Sequence, residues 1–488
     1  MRRSTHERCF SHHSRESGNP EAGDNTVALG PRLREGDEVG SMTNLVDFPV
    51  RPEARPYIEA FDRRAGTGEP DWLARDRRRG LSRFAELGFP NRKSESWRYL
   101  DLQPLEKQPL LPAHAAQQSD EAGLRERLAA LSLPERARRL VLVDGRFAPG
   151  LSILEPRRGL WLGSMAQALR ERPDLVRPVI ETAAADSAAH PFAALNTAFF
   201  ADGFVLEIAP NIEIERPIEI VHLASGATAV SLHTRNLVVL GAGSRANLLE
   251  IYAGPTANSP AYWRNDMAAL RLGEGAQLAR AVLVEESADA LHLAQTDAVL
   301  GAGARLSGFA LLLKGRRLRH EASLAIDGEG AQCRFDAAYI ATGSDEVNIV
   351  TAIDHRVPGG HSSELIKGVA AERAHGAFQG RIIVREHAQK TDAHQLSRNL
   401  IIGERAVIDT KPELEIYADD VKCSHGASVG DLDEAALFYL RARGISAEEA
   451  RRMLIDGFLR EAVETVEDLA IRTHLLRHLA RRLADLEG

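Results

Sequence analysis

The chain has 488 residues and a formal net charge of −8, and 44% of its residues are hydrophobic, 27% charged and 5% aromatic. This length predicts two to four domains, although one repetitive domain could account for much of it. The negative charge, without any run of Lys or Arg, argues against a nucleic-acid-binding protein, and so few aromatic side chains argue against a platform that stacks bases. No apolar run reaches eighteen residues, so no segment is predicted to span a membrane.

The cysteines indicate where the protein works. Cys9, Cys333 and Cys423 lie far apart and are odd in number, which is not the pattern of a disulfide framework. They indicate a reducing compartment, and we therefore expect the cytoplasm. Cys333 stands in an apolar context and is interpreted as a small buried core residue.

The first 41 residues differ from the rest of the chain. They are polar, are interrupted by Gly and Pro, and lack both the apolar core of a secretory signal and the acid-poor composition of a transit peptide. We interpret residues 1–41 either as a disordered extension or as a start assigned too early, with Met42 as the native first residue. The pair His12 and His13 is then without function.

Residues 42–200 are predicted to form an N-terminal helical or mixed domain. Residues 55–65 and Asp71–Leu87 carry apolar side chains at a spacing of three and four, and Gly88-Phe89-Pro90 ends the second helix. The polar turn that follows contains two aromatic anchors, Trp97 and Tyr99, and is interpreted as a docking turn. Further predicted elements are a Pro-rich linker at 105–115, helices at 122–131, 163–172 and 191–200, and strands at 139–143 and 151–153. We recognise no catalytic arrangement in this half.

From about residue 201 the pattern becomes repetitive. Four related Gly-x-Gly turns begin at Gly241, Gly273, Gly301 and Gly328, at intervals of 32, 28 and 27 residues, and each precedes a short apolar strand. Strands and glycine turns at a near-constant interval, without helices between them, predict the stacked coils of a parallel β-helix, with a two-sheet sandwich as the alternative. The first turn also fits a dinucleotide-binding fingerprint, but a strand rather than a helix is predicted after it, so repetition explains it better.

Possible metal ligands cluster after the last β-rich stretch, which ends near Ile416. They are Asp419, Asp420, Cys423 and His425. In an extended chain Cys-x-His directs both side chains to one face, and a thiolate with an imidazole suits iron or zinc. Two ligands do not complete a site, so other ligands must come from elsewhere, such as a second protein. Consecutive strand residues face opposite ways, which argues against Asp419 and Asp420 as the carboxylate pair of a β-helix glycosidase or lyase.

More histidines precede this cluster, and each is interpreted as a surface or hydrogen-bonded residue rather than a ligand. They are His355, His361, His375, His387 and His394. The polar segment 388–395 is predicted to form turns on one edge of the coils.

The C-terminal region is predicted to be a small amphipathic helical bundle. A helix at 431–443 carries Leu432 and Tyr439 on its apolar face, Ser446 begins a second helix that continues through Val463, and a third helix covers 466–486. The bundle either lies on the β-stack as a cap or presents a groove to another subunit.

Several segments resemble the SufB/SufD family of iron–sulfur cluster assembly proteins. They are KSESWRYLDL, DGFVLEIAPNIEIERPIEI, AQKTDAHQLSRNL, DGFL and the specific block PELEIYADDVKCSHGASVGDLDEAALFYLRARGIS. The resemblance covers about residue 42 to the C-terminus. It implies a mainly β protein with a right-handed parallel β-helix core at 201–427, after the N-terminal helical or mixed region, and a C-terminal α-helical domain at 428–488.

The resemblance also implies a partner set. Family members form a cytosolic complex in which one SufB and one SufD pair through their β-helices, while each C-terminal domain docks one copy of the ATPase SufC. His425 and Cys423 match SufD positions at the SufB interface, where a nascent iron–sulfur cluster is thought to be built. The implied role is a non-catalytic scaffold that holds iron or a cluster transiently and binds no ATP itself. A homodimer of the isolated chain is left open.

Departures from the SufB pattern place the resemblance closer to SufD. His425 is followed by Gly426-Ala427 rather than by Glu-Ala, and the segment Gly403-Glu404-Arg405-Ala406 lacks a thiol that SufB-like chains carry near the start of this coil. The chain alone is therefore not expected to hold a cluster. The alternative interpretation is a purely structural partner of SufB, in which His425 and Cys423 serve only the interface.

Overall fold

The computed structural model describes residues 50–64, 68–112, 120–134, 137–186, 190–255 and 259–485. The predicted extension 1–41 therefore lies outside the described residues. None of the helices in these ranges is long and apolar enough to cross a membrane.

Strands make up more of the described chain than helices do. The strands in chain order are β1 (Arg138–Val143), β2 (Arg146–Phe147), β3 (Leu160–Ser164), β4 (Phe204–Ile208), β5 (Ile218–Leu223), β6 (Val230–Leu240), β7 (Arg245–Ala253), β8 (Tyr262–Leu272), β9 (Gln277–Glu285), β10 (Leu291–Leu300), β11 (Arg305–Lys314), β12 (Arg317–Ile326), β13 (Gln332–Ala341), β14 (Glu346–His355), β15 (His361–Ala371), β16 (His375–Val384), β17 (Asp392–Ile402), β18 (Val407–Ile416) and β19 (Lys422–Gly430).

Helices flank these strands on both sides in the sequence. The described helices are α1 (Arg55–Asp62), α2 (Asp71–Leu87), α3 (Gln103–Lys107), α4 (Glu121–Leu131), α5 (Met165–Glu171), α6 (Pro173–Asp186), α7 (Pro191–Phe199), α8 (Glu434–Arg441), α9 (Ala447–Val463) and α10 (Leu469–Ala484).

Successive strands alternate between two sheets. One sheet has ten strands in the order β19-β17-β15-β13-β11-β9-β7-β5-β1-β2, and the other has nine in the order β18-β16-β14-β12-β10-β8-β6-β4-β3. From β4 and β5 onward, neighbouring strands within each sheet are parallel. At the first end of the stack, β2 pairs antiparallel with β1, and β3 pairs antiparallel with β4. One strand from each sheet therefore makes one coil, and the coils stack as a parallel β-helix rather than as a sandwich of antiparallel sheets. We call the space between the sheets the lumen.

The glycine turns stack along one edge of the coils. The second glycine of each turn has φ between +61 and +70°, a conformation that residues with a side chain rarely adopt; these glycines are Gly243, Gly275, Gly303 and Gly330. The Gly243 N–H donates to the Glu274 carbonyl at 2.7 Å, and the Gly275 N–H donates to the Ala302 carbonyl at 2.8 Å. Each turn thus binds the next one, and the strand after Gly241 excludes the helix that a dinucleotide-binding turn needs.

The lumen is filled because strand residues alternate in direction. A continuous core runs through it, including Leu206, Val238, Leu270 and Ile353, all at most 1% exposed. Cys333 is 3% exposed in this core, which confirms its predicted burial. Residues of opposite parity point outward and bind the flanking helices.

Helices α2, α5, α6 and α7 and the docking turn lie on the outer face of the nine-stranded sheet, whereas α4 packs on the outer face of the ten-stranded sheet. Trp97 is buried 5.1 Å from the Phe192 ring, and the guanidinium of Arg319 stacks 3.9 Å from the Trp97 ring centroid. Arg319 also donates to the Ser96 carbonyl at 2.8 Å. The predicted docking turn is confirmed.

The C-terminal helices α9 and α10 lie on the outer face of the ten-stranded sheet, not over the end of the stack. Leu459 and Leu475 are buried there against Leu311 and Ile340. A buried amine strengthens this contact, since Lys367 Nζ donates to the Phe458 carbonyl at 3.0 Å. The predicted start of α9 is confirmed, because Ser446 Oγ accepts from the Glu449 N–H there, whereas α8 and α10 each begin three residues later than predicted.

Several predicted details are wrong. In α8 the buried side chain is Leu437, whereas Tyr439 is 56% exposed. Residues 151–153 are not a strand, because Leu151 ends a short 3-10 helix and Ile153 makes only a single bridge to Arg139. Strand β3 and helix α6 were not predicted. The segment predicted as turns at 388–395 becomes strand β17 at Asp392, because non-local pairing with β15 continues the stack.

Candidate metal-ligand site at the open end of the solenoid

The two ends of the β-stack differ. At the last coil β18 pairs only with β16 and β19 pairs only with β17, so each sheet ends in a free strand edge. Apolar side chains are exposed on these strands: Val407 is 50%, Ile416 40% and Val429 39% exposed. Unpaired N–H and C=O groups beside exposed apolar residues are a template for pairing with another chain. We call this last coil the open end.

Both predicted ligands lie on β19 at the open end. Cys423 pairs in register with Ala393, and His425 pairs with Gln395. Ala393 and Gln395 are buried in the lumen, so Cys423 and His425 share the lumen-facing side of the strand. Cys423 is partly buried against the core, whereas His425 is exposed because no further coil covers it. The two side chains thus stand at the mouth of the lumen.

The Cys423 thiol is not activated by its surroundings. Burial raises its pKa, and the nearby Asp392 carboxylate raises it further. A metal ion that binds this sulfur therefore has to displace the proton, since the thiolate is the ligand form.

The acidic pair predicted nearby does not join the two ligands. Asp419 and Asp420 lie in the turn before β19, where the Asp420 carbonyl accepts from the Lys390 N–H at 2.7 Å and its carboxylate pairs with the Lys390 amine. In the ranges that the structure describes, no three His, Cys, Asp or Glu side chains stand close enough to hold a metal ion. Cys423 and His425 therefore form an incomplete ligand set on this chain.

A buried carboxyl group lies in the lumen beneath the mouth, and sequence reasoning missed it. Glu364 and Gln395 are 3% and 2% exposed, and Gln395 Nε2 donates to Glu364 Oε2. Burial raises the pKa of Glu364 to about 7. Gln395 pairs in register with His425, and Glu364 pairs in register with Gln395, so the three residues stack from coil to coil. The sequence alone does not give this register.

The remaining predicted histidines separate into different environments. His355 is buried, contacts Ser362 Oγ at 2.8 Å, and has its pKa lowered to about 4 by burial. His375 Nε2 lies 2.7 Å from Asp409 Oδ2 on the nine-stranded sheet. His361 and His394 lie on the outer face of the ten-stranded sheet and are about half exposed. Their nearest acidic neighbour is Asp392.

The architecture defines a class of protein: a rigid parallel β-solenoid, flanked by helices, whose last coil presents an unfinished ligand pair beside free strand edges. Known sequences narrow this class. The profile described as SUF system FeS cluster assembly, SufBD core domain, matches residues 222–458, and that of the SufBD protein N-terminal region matches residues 55–220.

Relatives cover most of the chain. It is 29% identical to the iron–sulfur cluster assembly protein SufD of Escherichia coli over 406 residues, which is 83% of this chain and 91% of the relative. It is 30% identical to a SufBD family protein of Synechocystis over 411 residues, 82% and 89% of the two chains. It is 25% identical to SufD of Bacillus subtilis over 437 residues, 88% and 97%.

The chain therefore belongs to the SufB/SufD family of iron–sulfur cluster assembly proteins, and its homologues include SufD.

Proposed function

We propose that the chain is a scaffold subunit of a cytoplasmic SUF assembly complex. In this proposal it pairs with a SufB-like paralogue through the open end, docks a SufC-like ATPase through its C-terminal helices, and supplies His425 and Cys423 to a nascent iron–sulfur cluster. The cluster is the cargo of the complex and is bound transiently. The observation that carries the proposal is that β19, a strand with a free edge, bears both ligands on its lumen face.

The open end suits a paralogue built from the same coils. A second β-solenoid that places its own last strands beside β18 and β19 would continue both sheets and satisfy their free backbone groups. The exposed Val407 and Val429 would be covered in the same step. Such an interface brings the partner's side chains to the mouth of the lumen, where the ligand set is incomplete. The same edges would support a homodimer of the isolated chain.

Ligand chemistry sets a pH dependence for cluster loading. His425 binds iron as the neutral imidazole and Cys423 as the thiolate, so iron competes with protons at both ligands. The pKa of Cys423 is already raised by burial and by Asp392, which increases the proton competition. We expect loading to weaken as the pH falls.

The C-terminal helices offer a surface for the ATPase and a connection to the β-stack. Phe438 and Tyr439 of α8 are 73% and 56% exposed, and Met453 of α9 is 46% exposed. At its other end α9 is held to the ten-stranded sheet by Lys367, which bonds the Phe458 carbonyl. ATP-driven movement of docked ATPase subunits would thus reach the sheet that ends in β19. The sequence has no Gly-x-x-x-x-Gly-Lys-Ser/Thr loop, so ATP hydrolysis is assigned to the partner.

Substitution of the ligands tests the proposal. We expect the His425→Ala variant to assemble the complex but to lose maturation of iron–sulfur enzymes in cells. We expect Cys423→Ser to weaken that maturation. Each substitution removes a proposed metal ligand without changing the outer face of β19. Ser428→Ala is the matched control, since Ser428 is an exposed residue on the opposite face of the same strand. Normal maturation with His425→Ala would show that the ligand role is wrong.

A purely structural role in pairing is the second candidate, and the raised pKa of Cys423 favours it, because a protonated thiol is a poor ligand. The two candidates differ in one comparison. If pairing alone matters, Val407→Lys at the open edge abolishes maturation while His425→Ala and Cys423→Ser do not. If the ligands matter, His425→Ala abolishes maturation in a complex that still assembles.

A further inference from the structure

A second group of metal-ligand side chains lies on the outer face of the ten-stranded sheet, behind the mouth of the lumen. His361 begins β15, and Asp392 and His394 lie at the start of β17. They line a cavity of about 340 Å³ between this face and the loop that carries Glu467. Cys423 and His425 do not line it, so this group is separate from the lumen-facing pair.

Strand register brings the three side chains together. His361 pairs directly with Asp392, and His394 follows two residues later on the same face. His394 Nε2 lies 2.8 Å from Asp392 Oδ1, and His361 Nδ1 lies 3.9 Å from Asp392 Oδ2. The structure thus places the Asp392 carboxylate between two imidazoles, with one oxygen toward each ring.

The spacing suits a metal ion after one small movement. Ligand atoms that each lie about 2.1 Å from a metal at right angles are about 3 Å apart, which the His394–Asp392 contact already meets. His361 has to approach Asp392 by about 1 Å, and its side chain is 54% exposed. The three side chains are therefore not yet assembled as a metal site, in agreement with the absence of a preformed cluster in the described residues.

A second contact prepares His394 for ligation. Its Nδ1 lies 2.7 Å from Ser424 Oγ on β19, which leaves Nε2 directed at Asp392. Metal-binding histidines commonly engage the other ring nitrogen in this way. Two imidazoles and one carboxylate on one face are the donor set of non-haem Fe(II) sites, which keep positions open for other ligands.

We propose that His361, Asp392 and His394 form a surface site for a borderline divalent cation, Fe²⁺ in particular. The site is one strand away from Cys423, on the opposite face of the sheet, and β19 has a free edge around which an ion can pass. Its role as a point of iron entry for the candidate cluster ligands rests on the proposed function, whereas the binding of the ion does not.

Neighbouring cations set the expected strength of the site. Lys422 pairs in register with Asp392, and Arg305 and Arg334 line the far part of the cavity together with Glu467. This register would bring the Lys422 amine beside the Asp392 carboxylate, where it would compete with a metal ion. We therefore expect Lys422→Ala to tighten metal binding, a result that a merely structural cluster would not give.

The test is metal titration of the purified, untagged full-length chain with Co²⁺, followed by Fe²⁺ under anaerobic conditions. We expect a Co²⁺ site with nitrogen and oxygen ligands, visible as weak d–d absorption without a thiolate-to-metal charge-transfer band. Asp392→Asn, His361→Ala and His394→Ala should each weaken it at least about tenfold, since even outer-shell partners of a metal contribute that much. Circular dichroism should show unchanged folding, because all three side chains are on the surface.

Two controls make the result specific. Asp409 pairs with one histidine, His375, on the other sheet and is not part of the proposed site. Asp409→Asn should therefore leave the Co²⁺ affinity unchanged. Cys423→Ser removes the candidate cluster ligand, and it should leave this site intact even if the proposed function is wrong. Binding that survives Asp392→Asn, or that disappears with Cys423→Ser, would overturn the proposal.

Discussion

Two buried glutamates, one in an early coil and one in a late coil, show how the two ends of the solenoid differ. Glu286 Oε1 lies 2.8 Å from Arg264 Nε and 3.0 Å from His292 Nδ1. Glu364 is bonded instead to the neutral amide of Gln395. Burial raises the pKa of both carboxyl groups, but Arg264 and His292 outweigh it at Glu286 and hold that pKa well below its usual range. At Glu364 burial is the largest influence, and the pKa is raised to about 7.

The difference matches the roles of the two ends. The early coils carry a network of buried ion pairs, in which Arg280 also bonds Glu250 at 2.6 Å, and the sheets end there in the antiparallel strands β2 and β3. In these coils the Arg264 and Arg280 guanidinium groups neutralise the buried Glu286 and Glu250 carboxylates. The open end holds neutral polar groups below the mouth, and its outermost residues are exposed. We infer that one end is sealed and that the other is built for a partner.

The largest effect is expected from breaking the ion pair at the closed end. Arg264→Met should lower the free energy of unfolding by about 3–5 kcal/mol, because it leaves the Glu286 carboxylate buried without its guanidinium partner. Urea denaturation followed by circular dichroism measures the change. Arg245→Met, at a loose surface pair with Glu213, is the control and should change stability by less than about 0.5 kcal/mol. A loss below 1 kcal/mol for Arg264→Met would contradict the sealed-end interpretation.

A smaller, pH-dependent effect is expected at the open end. The pKa of Glu364 is raised from 4.5 to about 7 in the folded state, so folding retains its proton and stability falls as the pH rises through this window. Glu364→Gln removes this cost and should raise the free energy of unfolding by up to about 3 kcal/mol at pH 8.5, with little effect near pH 4.5. Denaturation midpoints at the two pH values measure the difference.

The control for this prediction is Glu404→Gln, because Glu404 is exposed in the turn before β18. It should show no pH-dependent gain. An equal gain from Glu364→Gln at both pH values would mean that packing, not the buried charge, determines the result.

The repetitive fold was predictable because its signals are local. The turns at Gly241, Gly273, Gly301 and Gly328 each need a glycine with positive φ, and short apolar strands follow each of them. The orientation of Cys423 and His425 was likewise predictable, since two residues separated by one in a strand must share a face. The start of α9 was readable from Ser446, whose side chain caps it.

Features that depend on register between coils were not predictable. The polar composition of segment 388–395 predicts turns, yet Asp392 and His394 lie on a strand because β15, about thirty residues away in the sequence, pairs with it. Glu364 could not be placed in the lumen before that register was known. Strand β3 was missed for a related reason, since it is held by antiparallel pairing with β4, forty or more residues later. The exposure of Tyr439 follows from how α8 sits on α9, which periodicity alone does not determine.

The smallest effect on stability is expected at the free edge itself. Val407 is 50% exposed on β18, so Val407→Lys should change the free energy of unfolding of the isolated chain by less than about 0.5 kcal/mol. A lysine on a free edge should nevertheless prevent strand pairing with another solenoid, because the charge would be desolvated in the interface. Sedimentation velocity, with the isolated chain and with a SufB-like paralogue, measures the association. If Val407→Lys instead destabilises the chain as strongly as Arg264→Met while association persists, the last coil is part of the folding core and the partner binds elsewhere.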